Sequence, residues 1–290
     1  MTTLAVTIDI DQDGLALGVE RDTLRWTAVE MVPRLAEIFA ARGVRATWFI
    51  RADNQLADLY GSAAWLLEEF EPLWTSLRKE GHALAWHPHV YRRNASGGYE
   101  TETDGARCAE QLEWIHGELR SRGHTFRAVR VGEAFHASTA MRTLDRLGLQ
   151  IDSTAIPGRI RNDGVRVFDW EPTPNEPYHP SAEDYRVPGK DALSILEVPM
   201  TSIAIAAPYD EVPLRRYINL AYRSDLLGPA LAKHAGTLET IVTIVHPEEA
   251  LGNNNPLYGE GLPEIERNLD LLLAGNVTVK TMDEIAQWNS

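Results

Sequence analysis

The chain has 290 residues, 44% hydrophobic and 24% charged, and a formal net charge of −14 from 28 Lys and Arg against 42 Asp and Glu. That is an ordinary globular composition, long enough for one large α/β domain, and its acidity argues against nucleic-acid and anionic-membrane partners. Cys108, the only cysteine, excludes an internal disulfide and a CxxC metal site and reads as a small buried hydrophobe on a helix.

The first predicted strand is LAVTIDI, residues 4–10, β-branched and alternating. A helix-period segment from Leu24 to Ala41 follows, then the strand ATWFI. A second helix, Ala63 to Lys79, stops at Gly81 and leads to HALAWHPHV. A third, Arg107 to Arg122, stops at Gly123 before FRAVRVG, and the helical ASTAMRTLDRLG ends on a glycine before LQIDST. Beyond an irregular region come LSILEVPMT, a helical stretch from about Val212 to His234, LETIVTIVH, a helix from Pro263 to Ala274, and VTVKT.

Such alternation calls for a parallel sheet, because parallel neighbours need crossover connections. The number of units favours one α/β barrel over two open sheets. Residues 161–191 are Pro-rich, charged and aromatic, and too long for an ordinary connection. They predict an excursion over an active site, so residues 1–290 are expected to form one domain. No stretch reaches the roughly 18 apolar residues of a membrane span, and the N-terminus lacks the features of a secretion signal. The expectation is a cytoplasmic protein.

The segment TIDIDQDGLALGVE satisfies the EF-hand calcium pattern at Asp9, Asp11, Asp13, Gly14 and Glu20. Context excludes it, because a strand enters the loop where an EF-hand needs a helix, and no partner loop exists. The acids instead stand at the C-terminal end of a strand, where barrel active sites are built. In GHALAWHPHVYRR, His87 and His89 share one face of an extended chain, whereas His82 has the opposite parity and reads as structural. One carboxylate and two imidazoles suit Zn²⁺, with Co²⁺, Ni²⁺ or Fe²⁺ feasible. His246 ends the apolar run LETIVTIVH and would face the same mouth.

Taken in order, these segments resemble the polysaccharide deacetylase family, also called the NodB-homology or carbohydrate esterase family 4 group. Thr7 to Asp11 resembles its first motif, Gly81-His82 with His87 the second, FRAVRVGEAFHASTAMRTLDRLGLQIDST the third region, FDWEPTPNEPYHPS and SILEVPMT downstream segments, and VTIVHP the last motif. The resemblance implies a distorted (β/α) barrel and a metal-dependent N-deacetylase acting on an amino sugar or glycosylated biosynthetic intermediate. It implies Asp9 as general base, Asp11 and His87 as metal ligands, Arg130 holding Asp9, and His246 as general acid. Asp152 is a candidate for orienting His246.

Two departures stand out. The second metal histidine of the family falls where this chain has Tyr91, leaving His89 to replace it or the metal site altered or lost. The arginine motif, Arg130-Val131-Gly132-Glu133, lacks the usual prolines and aromatic residue, and Glu133 could meet a polar substrate or solvent. Trp86 and Trp170 could line a sugar-sized cleft or fill the core. The alternatives are hydrolysis of a non-sugar amide or ureide, or an inactive member that binds an acylated sugar. The expected partner is a small N-acylated sugar-like molecule.

Overall fold

The computed structural model describes residues 2–14, 24–163, 166–252 and 254–288. In chain order its strands are β1 (Thr2–Ile10), β2 (Thr47–Arg51), β3 (Ala83–His87), β4 (Tyr91–Arg93), β5 (Tyr99–Thr101), β6 (Ala128–Val129) and β7 (Ile151–Asp152). They continue with β8 (Ile160–Asn162), β9 (Val167–Asp169), β10 (Leu196–Glu197), β11 (Ser202–Ile205), β12 (Leu214–Asn219), β13 (Thr240–Val245) and β14 (Val277–Val279).

Ten of these strands make one sheet in the order β10-β7-β6-β3-β2-β1-β13-β12-β11, with β14 pairing the start of β1. Every pairing along it is parallel except β11 with β12. The sheet curls into the expected distorted barrel, whose two edges, β10 and β11, are joined by the segment 198–201. β1 lies at its centre, between β2 and β13.

Alternation along the strands divides the side chains between two cores. Leu4, Val6, Ile8 and Ile10 of β1, with Trp48, Ile50, Leu84 and Trp86, pack outward under the helices. Ala5, Phe49, Ala85, Ala128, Ile151, Leu196 and Val242 face inward, one from each of seven strands, and Met282 and Ile285 of the last helix, Met282–Trp288, join them. The helix Gly105–Ser121 buries Cys108, Leu112, Ile115 and Leu119, one stripe at helical spacing, and burial pushes the Cys108 thiol up to about 12. The small-hydrophobe reading of Cys108 holds.

Two expected helices differ. The predicted helix over 63–79 is two, Trp65–Glu69 and Glu71–Lys79, because Pro72 has no N–H to continue the first and is suited to the first turn of the second. The predicted helix from Val212 to His234 begins as β12, and only Ser224–Ala232 is helical. Tyr217 pairs with Ser202 and Ile218 with Thr243, so ladder bonds to strands on both sides override the local pattern. Within the expected excursion lies the β8–β9 hairpin. No helix among the described residues is long and apolar enough to cross a membrane.

Candidate active site

The parity that sorts the core also aims the site. Thr7, Asp9 and Asp11 continue the inward row of Ala5. His87 and His89 continue that of Ala85, Arg130 that of Ala128, and His246 that of Val242. All emerge at the C-terminal ends of parallel strands, the end at which such sheets build sites. Asp9, Asp11, His87, His89, Arg130 and His246 line one cleft of about 630 Å³. His82, of opposite parity, lies edge-on against Trp48 and accepts a hydrogen bond from the Ala46 amide at 2.9 Å, so its structural reading holds.

His87 Nε2 stands 3.4 Å from Asp11 Oδ2, His89 Nε2 stands 3.1 Å from Asp11 Oδ1, and the two Nε2 atoms are 3.3 Å apart. The outer nitrogens fix the tautomers. His87 Nδ1 lies 2.7 Å from the Arg130 carbonyl, which can only accept, so Nδ1 carries the proton. His89 Nδ1 lies 2.6 Å from the Tyr91 hydroxyl, which donates in turn to Glu133 Oε1 at 3.3 Å and therefore accepts from His89. Both Nε2 lone pairs then converge with a carboxylate on one point, and Asp11 Oδ1 is buried without a hydrogen-bond partner. With both imidazoles neutral, three acceptors face one point with no donor between them, an arrangement that a bound cation would satisfy.

Their spacing is close to the edge, about 3.3 Å, of a tetrahedron with bonds of about 2.05 Å to zinc. The residues present therefore fit the divalent metal expected here, and His89 stands where it can supply the second imidazole. Burial would push the Asp11 carboxyl up, but with positive charge on the His89 and His87 imidazoles beside it the group is held well below the ordinary range. Arg51, fully buried at the end of β2, bonds Asp53 at 2.6 Å and brings Nε to 4.0 Å from Asp11.

Asp9 is held by the buried Arg130, whose Nη1 donates to Asp9 Oδ1 at 2.6 Å and to Thr7 Oγ1 at 2.9 Å. Its Nε donates to the Ser153 carbonyl and its Nη2 to the Ser153 hydroxyl, at 2.8 and 2.9 Å. His246 stands at the start of the short helix Pro247–Leu251. Its Nδ1 is 3.4 Å from Glu249 Oε1, and its amide donates to Glu249 Oε2 at 2.8 Å. Burial alone would lower the imidazole's pKa, but Glu249, with Asp9 and Asp11 behind it, raises it to about 10.

Asp152 does not orient His246. It belongs to the opposite parity from Ser153 and Ile151, so it faces the outer side, where His136 Nε2 lies 2.7 Å away and the Thr154 hydroxyl donates to it. Beside it in register is Glu197, whose carboxyl is pushed well up by burial and by Asp152. The residue at His246 is Glu249, legible in HPEEAL as a carboxylate three positions after a helix-capping residue.

Glu133 lines the cleft, with its two oxygens held by Arg166 and Tyr91. Its φ of 56°, with 54° at Ala134, is a left-handed conformation that carries strain in non-glycine residues. Gly132 allows close approach, since a Cβ there would come within 2.4 Å of the His89 ring. Trp86 and Trp170 are fully buried, their indole N–H groups bonded to the Ala52 and Ala134 carbonyls, so they are core and do not line the cleft. Asp13 accepts hydrogen bonds from the Thr27 and Ala28 amides, so it caps the helical turn Thr27–Met31, and Glu20 lies outside the described residues.

No family model matches the chain, and no curated protein matches it in sequence. Solved structures do. A candidate polysaccharide deacetylase from Mycobacterium smegmatis superposes with a TM-score of 0.60 at 15% identity, over 99% of this chain and 89% of that one. A carbohydrate esterase family 4 pseudoenzyme from Bacillus anthracis gives 0.49 at 10% identity, over 98% and 65%. A peptidoglycan N-acetylglucosamine deacetylase gives 0.48 at 11%, over 98% and 88%. The likeness to the mycobacterial structure shows the fold.

Proposed function

We propose that this chain, which has the polysaccharide deacetylase fold, is a metal-dependent hydrolase that removes an acyl group from the amide nitrogen of an amino sugar or glycosylated biosynthetic intermediate. The observation that carries the reading is the convergence of Asp11, His87 and His89 beside the Asp9–Arg130 pair, with His246 in the same cleft. Asp11, His87 and His89 would hold one divalent cation, Zn²⁺ or alternatively Co²⁺, Ni²⁺ or Fe²⁺, which supplies Lewis acidity toward the acyl carbonyl and lowers the pKa of water.

The protein's own groups carry the protons. Asp9 takes one from the attacking water, and Arg130 holds that carboxylate in position through the 2.6 Å contact to Oδ1. His246 gives one to the departing nitrogen, since an amine is too basic to leave as an anion. Glu249 keeps the imidazole charged for that task.

Metal analysis of purified protein and acetate or formate release from N-acyl sugars, set against ureides, test this reading. About one ion per chain is expected. Asp9→Asn is expected to abolish turnover with the metal retained. An active Asp9→Asn protein refutes the base assignment, and ureide turnover alone moves the substrate to the alternative class. Metal binding without turnover of any acylated sugar favours the inactive binding protein.

A further inference from the structure

Two carboxyl groups that the reaction does not use meet on the outer face of the sheet. Asp152 of β7 and Glu197 of β10 are partners in register, so their side chains leave adjacent parallel strands on the same face, and both are fully buried. Around them the two strand ends grip each other. The Val198 amide donates to the Asp152 carbonyl at 2.7 Å, the Ser153 hydroxyl to the Val198 carbonyl at 2.7 Å, and the Ala155 amide to Glu197 Oε1 at 3.0 Å. On its other side Glu197 exchanges two backbone bonds with Tyr178, at 2.8 and 3.0 Å. This seam lies directly behind the site, because Ser153 supplies the carbonyl and the hydroxyl that hold Arg130.

Four carboxyl oxygens share too few donors. Asp152 Oδ2 faces His136 Nε2 at 2.7 Å, Asp152 Oδ1 accepts from the Thr154 hydroxyl, and Glu197 Oε1 accepts from Ala155. Glu197 Oε2 is buried with no donor among the described residues. The surrounding charged and titratable groups are engaged elsewhere. Arg130 donates to Asp9, Thr7 and Ser153, and Asp145 of the helix Ser138–Arg146 accepts from the Ile195 amide. His179 Nδ1 lies 3.1 Å from the Ile195 carbonyl, the Tyr178 hydroxyl donates to the Tyr185 carbonyl, and the Tyr185 ring stacks on His136. Two buried carboxylates beside one imidazole cannot both ionise, and the oxygen without a donor is where a proton belongs. Burial and Asp152 push the Glu197 carboxyl well up, in keeping with that placement.

We infer that Asp152 and Glu197 share one proton and that this proton is a pH-sensitive latch: held, it closes the β7–β10 seam behind Arg130; lost, it parts β10 from β7. Ionising the second carboxyl sets two like charges side by side in a dry interior, where β10 has only Leu196 and Glu197 to hold it. The folded value of Glu197 is raised, so its proton stabilises the native state fully below the unfolded glutamate value of about 4.3. That gain is lost as pH rises toward the folded value.

Infrared spectroscopy, unfolding and amide exchange on the full chain test the latch. An un-ionised carboxyl band is expected at neutral pH. It should shift when glutamate is labelled with ¹³C, stay when aspartate is, and vanish in Glu197→Gln. In urea titrations above the unfolded value, the unfolding constant of the wild-type protein is expected to rise about tenfold per pH unit relative to Glu197→Gln. Protection of the Tyr178, Glu197 and Val198 amides is expected to fall over the same range. In Glu197→Gln it should hold, because the new amide keeps a donor for Asp152 and an acceptor for Ala155.

The absence of a glutamate band at neutral pH, unfolding curves that run parallel, or seam protection independent of pH overturns the inference. Should Glu197→Gln fail to fold, the labelled band and the amide protection of the wild-type protein decide the matter without it.

Discussion

The Tyr91 hydroxyl stands 2.6 Å from Nδ1 of His89 and passes the contact on to Glu133, itself held by Arg166. Tyr91 occupies the position four residues after His87 at which the resemblance places a second metal histidine. In this chain an imidazole, that of His89, stands two residues earlier, and Tyr91 bonds it from behind. Outer partners of this kind set tautomer and ring orientation, and losing one costs about 10–100-fold in metal affinity. Tyr91→Phe is expected to weaken Zn²⁺ by that factor in a competition titration against a chromophoric chelator, with the fold retained by circular dichroism. An unchanged affinity would mean that the hydroxyl only fills space.

Gly132 supports the same ring from the other side. A methyl group there would lie 2.4 Å from His89 Cδ2, well inside contact distance, so either the ring or the loop must shift. Gly132→Ala is therefore expected to lower metal affinity at least as much as Tyr91→Phe. A spectroscopic check is Co²⁺ substitution, in which a displaced ligand alters the visible absorption. An unaltered spectrum and affinity would show that the loop yields freely.

Much of this was legible as parity. Asp9 with Asp11 and His87 with His89 each alternate along a strand, and that alone brought them to one cleft. The same rule, applied to Asp152 and Trp86, would have sent both to the outer face, since Ile151 and Ala85 are the inward neighbours. Glu249 could have been found from HPEEAL, where a carboxylate three residues on closes a capping box. The Tyr91–Glu133 contact could not, because it joins residues 42 apart through a left-handed turn at Glu133 that no local pattern demands. Nor could β12, whose strand character comes from neighbours on two sides.

Arg130 ties three strands together through Asp9, Thr7 and Ser153, and its guanidinium also lies 4.2 Å from the centroid of the Phe49 ring. Removing it leaves a buried carboxylate without its cation, a loss of about 3–5 kcal/mol in comparable buried pairs. Arg130→Met is expected to lower stability by that amount in urea titration. The double variant Arg130→Met, Asp9→Asn should recover part of the loss, because the orphaned charge is gone. If the double variant is no more stable than the single, the pair is not the source of the effect.

The pH dependence of turnover should follow the His246–Glu249 pair. An imidazole raised to about 10 keeps its proton as pH climbs and loses it only near that value, so an acid catalyst at His246 gives an alkaline limb far above the usual histidine range. In stability the sign is the same: the contribution is full below the unfolded value of about 6.5 and is lost as pH rises through the folded value. Glu249→Gln removes the anion but keeps an acceptor for the His246 and Asn219 amides. Burial then acts unopposed by that anion, the imidazole falls, and the alkaline limb of kcat is expected to move down by at least one pH unit. Asp152→Asn, on the outer face with His136, is expected to leave that limb in place while lowering Tm. A limb that moves with Asp152→Asn and not with Glu249→Gln would return the orienting role to Asp152.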